Sequence, residues 1–304
     1  MKANMHKNIN IAQKERNAYS RKQARLKVKS RIARNRQKRD FLESNRHDDD
    51  KDTSIDEEIL MREEREEIIN SVKRVNEFKN CRRAKTKYLE DLLKLSGGDR
   101  LVMKSMLMKK IPNEIISSNF KLLLSHLIVL DLSDNQLEFL PGLEFIFHLS
   151  TLRKMNLSSN KIRILPPEIS ALENLEIFDI MNNQLEYFPK EISSLSTLQY
   201  LNLSNNKVEC IIDELCSLSS LKHLIADTNS ISSISNKVGD MITLETLQLG
   251  NNQISRLPQS LSSLINLKHL DLSKNRLSEI PLDFGQLYAL RYVDISYNSL
   301  LASN

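Results

Sequence analysis

Six histidines and three cysteines are the side chains of this chain best able to bind a metal, move a proton or attack a carbonyl. His6, His47, His126 and His148 fall at unrelated places, while His223 and His269 are separated by twice a recurring interval and so share a row. On neighbouring strands spaced about 4.8 Å apart, two steps put them roughly 10 Å from each other, too far to hold one metal or exchange a proton directly. Cys81, Cys210 and Cys216 make no CxxC pair, which argues against a thiol metal site or a redox couple. No Gly-rich phosphate loop and no HExxH occurs. The expectation is a chain that is not an enzyme, with no catalytic residue, no metal and no cofactor.

Protein recognition needs a different set of residues, and the sequence supplies one. Tyr200, His223, His269 and Tyr292 recur at one position of a repeating frame, with Tyr297 alongside. Two positions further on, the frame reads Asp131, Asn156, Asp179, Asn202, Ile225, Gln248, Asp271 and Asp294, with Asp134 and Asp227 nearby. Tyrosine is enriched at binding hot spots, and the carboxylates favour a partner with a basic surface. Each acidic residue also has a plainer reading, as an exposed position that keeps the chain soluble.

These residues are positioned by a repeat of the form LxxLxLxxNxL, opening at Leu127, Leu152, Leu175, Leu198, Leu221, Leu244, Leu267 and Leu290. Alternating apolar and polar residues in its first half suit a short strand buried on one face. The ninth position is Asn135, Asn160, Asn183, Asn206, Asn229, Asn252, Asn275 and Asn298, at an unbroken spacing of 23 from Asn160 onward. An amide there supplies both donors and an acceptor to backbone groups at the turn that ends each strand. Leaving one such buried group unpaired costs about 1–3 kcal/mol. The ladder is structural, and each repeat is one strand plus one return segment.

The return segments Leu165–Leu175 (LPPEISALENL), Phe188–Leu198 (FPKEISSLSTL), Leu257–Leu267 (LPQSLSSLINL) and Ile280–Leu290 (IPLDFGQLYAL) complete a resemblance to the leucine-rich repeat family. The match is to its 23-residue intracellular class, which includes Ras suppressor and SHOC-2-type scaffolds. It covers residues 100–304 and implies an α/β solenoid, a horseshoe with a parallel sheet on its concave face. It further implies a protein-interaction scaffold in signal transduction, in small GTPase or phosphatase complexes. Residues 101–115 read as a decayed zeroth repeat, with Lys104 and Lys109 where a Leu and the Asn belong, and act as the N-terminal cap. The first repeat carries two extra residues between Leu140 and Leu152, which its return side should absorb. The fifth has Ser235 in place of Pro and Ala226 in place of a core Leu. No polar cap follows Asn298, so the expectation is a fragment or an end covered by another subunit.

The net charge of +5 is strongly segregated. Residues 1–46 hold 15 Lys or Arg against three acids, and residues 48–67 hold 11 acids against three bases. The segment 1–47 is a basic arm, disordered or helical. Segment 48–97 opens with a capping-box spacing at Ser54–Glu57 and runs without Pro or Gly to Gly97, as a charged helix or coiled coil whose heptads break at Lys79, Arg82 and Thr86. Electrostatic contact of the arm with RNA or a ribosome is the competing functional reading. With no apolar leader and no run of 18 apolar residues, and few cysteines, the expected location is cytoplasmic, with the nucleus second.

Overall fold

The computed structural model of the chain describes residues 99–116 and 124–300. The basic arm and the charged helix or coiled coil expected over residues 1–97 lie outside the described residues. Nine three-residue strands form one parallel sheet in the order β1 (Arg100–Val102), β2 (Val129–Asp131), β3 (Lys154–Asn156), β4 (Ile177–Asp179), β5 (Tyr200–Asn202), β7 (His223–Ile225), β9 (Thr246–Gln248), β10 (His269–Asp271) and β11 (Tyr292–Asp294). Residues at the same frame position pair throughout, as in Tyr200 with His223 and His223 with Thr246. Unshifted register turns every frame position into a straight row across the repeats. The chain is a leucine-rich repeat solenoid.

Its core is the stack of frame leucines. In the fourth repeat Leu198, Leu201, Leu203, Val208, Leu215 and Leu218 are all buried, and the same positions are buried in the repeats on either side. Burying one Leu side chain contributes about 1.5–3 kcal/mol, so the stack is the main source of stability. Return segments are mostly five-residue 3-10 turns such as Pro167–Ala171 and Lys190–Ser194. A proline precedes most of these turns and sets the start with its fixed φ, and its carbonyl accepts the first bond, as from Ile169 to Pro166 at 3.0 Å. Five residues between that proline and the next core leucine leave room for little more than one turn, so 3-10 geometry replaces an α-helix.

The asparagine ladder joins repeats to one another as well as closing turns. The Nδ2 of Asn183 donates to Ile180 in its own repeat and to Leu157 in the preceding one, both at 3.0 Å, and its Oδ1 accepts from the Ile162 amide at 3.0 Å. Asn160, Asn206, Asn229, Asn252, Asn275 and Asn298 repeat this pattern. Asn135 serves the zeroth repeat, accepting from Met106 and Met108 and donating to Met103. A second polar ladder, which the sequence reading missed, runs along the residue before five of the leading leucines. Thr151, Thr197 and Thr243 place hydroxyls, and Asn174 and Asn266 amides, against carbonyls of the previous repeat.

Three departures follow from sequence. The zeroth repeat pairs Leu101 with Leu130, which sets its frame three residues earlier than expected. Leu101 and Met103 fill the core positions, Met106 stands where the Asn belongs, and Lys104 faces Asp134 at 3.2 Å. The two extra residues of the first repeat widen its return turn, where the Ile146 amide reaches Pro141 and that of Phe147 reaches Gly142. Finally, repeats four and five carry Ile212 and Ser235 where the others have Pro. There the freed Ser235 amide donates to Ile211 at 2.9 Å, beside a second, two-stranded parallel sheet of β6 (Cys210–Ile211) and β8 (Ser233–Ile234).

Candidate protein-binding face

The sheet presents two rows of side chains away from the core. Position three gives Val129, Lys154, Ile177, Tyr200, His223, Thr246, His269 and Tyr292. His269 stacks on Tyr292 with ring centroids 4.3 Å apart and an interplanar angle of 17°. Tyr200 and His223 meet at 6.2 Å in a tilted arrangement. Between these pairs the Thr246 hydroxyl lies 3.0 Å from Nδ1 of His223. Each histidine therefore engages its own neighbours, and the two are not brought together. Tyr297 sits at the turn beyond β11, 79% exposed, outside the stacked row.

Position five is a row of local turns as well as a charged surface. Asp131, Asn156, Asp179, Asn202, Asp271 and Asp294 each accept a hydrogen bond from the amide two residues on, at 2.8–3.1 Å. At position seven, the donor of this bond, Ser133 and Ser204 are buried. Ile225 and Gln248 break the row, and Asp227 takes over by accepting from the Gly250 amide of the next repeat at 2.7 Å. A Cβ on Gly250 would lie 3.2 Å from the carboxylates of both Asp227 and Asp271, so the glycine lets the two acids close in where a side chain would crowd them.

Electrostatics follow this geometry. Burial pushes the carboxyls of Asp179 and Asp227 above the usual range, opposed by their backbone bonds to Met181 and Gly250 and reinforced by Asp131 and Asp271 respectively. Burial also raises the Tyr200 phenol, with Asp179 adding to the shift. Asp294, bonded to Ser296, is held low. Burial lifts the thiol of Cys216 to about 11, which leaves it protonated and unreactive at neutral pH. Among the described residues no group of three or more His, Cys, Asp or Glu could hold a metal ion. Among the same residues no helix is long and apolar enough to cross a membrane.

Comparison with known proteins agrees with the geometry. A family described as a leucine-rich repeat region matches residues 116–235, and one described as a leucine rich repeat matches residues 242–300. A search of curated protein sequences found no match. Among solved structures, a leucine-rich repeat protein of Leptospira interrogans is 27% identical, with a TM-score of 0.59 over 71% of this chain and 65% of its own. The leucine-rich repeat ectodomain of the Arabidopsis thaliana membrane receptor kinase GASSHO1/SCHENGEN3, solved with Casparian strip integrity factor 2, is also 27% identical, with a TM-score of 0.55. That match covers 66% of this chain and 24% of the receptor. Internalin C2 of Listeria monocytogenes shares the fold at 24% identity and a TM-score of 0.56, over 68% of this chain and 84% of its own. The chain thus spans less than two thirds of the first two proteins. Register, ladder and family matches converge: the chain belongs to the leucine-rich repeat family.

Proposed function

We propose that the chain is a non-enzymatic adaptor that binds a protein partner on its sheet face. The row Tyr200, His223, His269 and Tyr292, with Tyr297 at its margin, supplies the anchoring rings, and Asp179, Asp227, Asp271 and Asp294 supply the charge. The observation that carries this reading is the ring row itself, a His269–Tyr292 stack at 4.3 Å in line with the Tyr200–His223 pair. Rings held by a sheet and by one another lose little freedom on binding. Carboxylates in the adjacent row select Lys and Arg on the partner. The Arabidopsis receptor solved in complex with Casparian strip integrity factor 2 supports a protein as the class of ligand. Resemblance to the 23-residue intracellular class supports a setting in cytoplasmic signal transduction, in small GTPase or phosphatase complexes.

The test is quantitative affinity capture with the full chain and with a Tyr200→Ala, His223→Ala, Tyr292→Ala variant. Partners of the sheet face should fall at least about tenfold in recovery, since hot-spot truncations cost 2 kcal/mol or more, and should elute earlier as salt rises. Unchanged recovery from a folded variant would place binding elsewhere.

A further inference from the structure

Position thirteen of the repeat lies on the return side, and the fold does not require it to be apolar. Ser233, Arg256 and Glu279 occupy it in repeats five to seven, whereas repeats one to three carry Phe139, Ile164 and Tyr187. Backbone bonds hold neighbouring repeats together at this level, from Lys161 to Leu137, Gln184 to Ile162 and Glu186 to Arg163. The three side chains therefore emerge from adjacent rungs roughly 5 Å apart. The wide return turn of the first repeat adds two exposed apolar side chains on the same return side, since it buries Phe145 and Ile146 and leaves Leu143 and Phe147 outside. All five are between 46% and 65% exposed. Their surroundings are acidic: Glu138, Glu144 and Glu186 adjoin them in sequence, and the carboxylate of Glu168 lies over Gly142. Arg163 and His148 are the bases among these immediate neighbours.

We propose that this return-side surface of repeats one to three is a second docking site, separate from the sheet face, for an amphipathic helical segment of a partner protein. That helix carries Lys or Arg beside its apolar stripe. A clustered apolar surface rimmed by charge marks an interaction site, and the sign of the rim fixes the sign of the partner. The backbone groups of the row are used between repeats, so the partner engages through side chains and adds no strand. Residues three and four apart on a helix stand about 5–6 Å from each other, which matches the rung spacing of the row.

The full chain is titrated with three short labelled peptides, read by fluorescence anisotropy: Leu and Lys in amphipathic helical order, the same residues scrambled, and Leu with Glu in helical order. The ordered Leu/Lys peptide should bind best. Phe139→Ser with Tyr187→Ser should weaken it at least about tenfold, in a variant that folds because Ser233 already fills the same position. Glu138→Lys with Glu186→Lys should shift preference to the Leu/Glu peptide, while Tyr200→Ala with His223→Ala should bind as the parent does. Equal binding of the scrambled peptide, or affinity indifferent to Phe139 and Tyr187, would overturn the proposal. So would sedimentation showing a dimer that Phe139→Ser with Tyr187→Ser dissolves, since the occupant would then be a second copy. The sheet-face reading survives any of these outcomes.

Discussion

The residue before each ladder asparagine adopts φ near +54°, from Asp134 and Asn182 to Thr228, Lys274 and Tyr297. Asn and Asp tolerate this left-handed region and β-branched or bulky side chains do not, so Thr228 and Tyr297 are strained there. The Asx residues at this position were a legible signal for the turn, one that the ladder beside them overshadowed. Position five was legible as an exposed acidic row, but its second role, closing the turn two residues on, depends on backbone direction that spacing alone does not reveal. Asp179 combines both roles, standing in register between Asn156 and Asn202. Its folded pKa lies above the unfolded value of 3.8, so its contribution to stability is fully present below that value and is lost as pH rises through the folded pKa. Asp179→Asn keeps an acceptor for the Met181 amide and removes the charge. The variant should have a higher urea midpoint than the parent at pH 7 and an equal one at pH 3. An advantage that persists at pH 3 would mean ionisation is not its source.

At the level of the element, the return segments show how one substitution redirects a turn. Ser235 has φ −56°, which proline could adopt, and proline is what the frame carries elsewhere. Restoring it would stabilise by about 0.4–1 kcal/mol through the unfolded chain. Against that stand the Ser235 amide bond to Ile211 and the Ser235 hydroxyl, which accepts from the Lys237 amide and donates to Asp213. Losing an amide bond costs about 1 kcal/mol and losing a cap about another. Ser235→Pro should therefore destabilise by about 1 kcal/mol, read as a lower urea midpoint, although it restores the frame. The strands themselves were readable from LxLxx alternation. The frame of the zeroth repeat was not, because Met103 and Met106 disguise the core and ladder positions, and only the pairing of Leu101 with Leu130 sets it.

At the scale of the molecule, each described repeat packs on its neighbours, so stability propagates along one dimension. Asn252 is buried in the middle, donating to Ala226 and Leu249 and accepting from Ile231. Asn252→Ala should cost about 3 kcal/mol, from more than one unpaired buried group. It should also split unfolding into two steps, with hydrogen exchange fastest around repeats five and six. Asn298 makes the same bonds but is partly exposed, and its loss should cost about 1 kcal/mol and leave a single transition. The repeat count and the face that carries the rings were legible because straight register converts sequence period directly into spatial rows. The wide turn of the first repeat has a consequence for growth of the fold. From Asn183 onward each ladder asparagine meets groups 21 and 26 residues behind it, as Asn183 does with Ile162 and Leu157, so the stretch from strand to ladder keeps its length. Leu137 still meets Asn160 at 3.0 Å although the intervening return holds two more residues. Length can vary only there, or by whole 23-residue units, which makes tandem duplication the natural way to lengthen this molecule and the return turn the natural place for lineages to diverge.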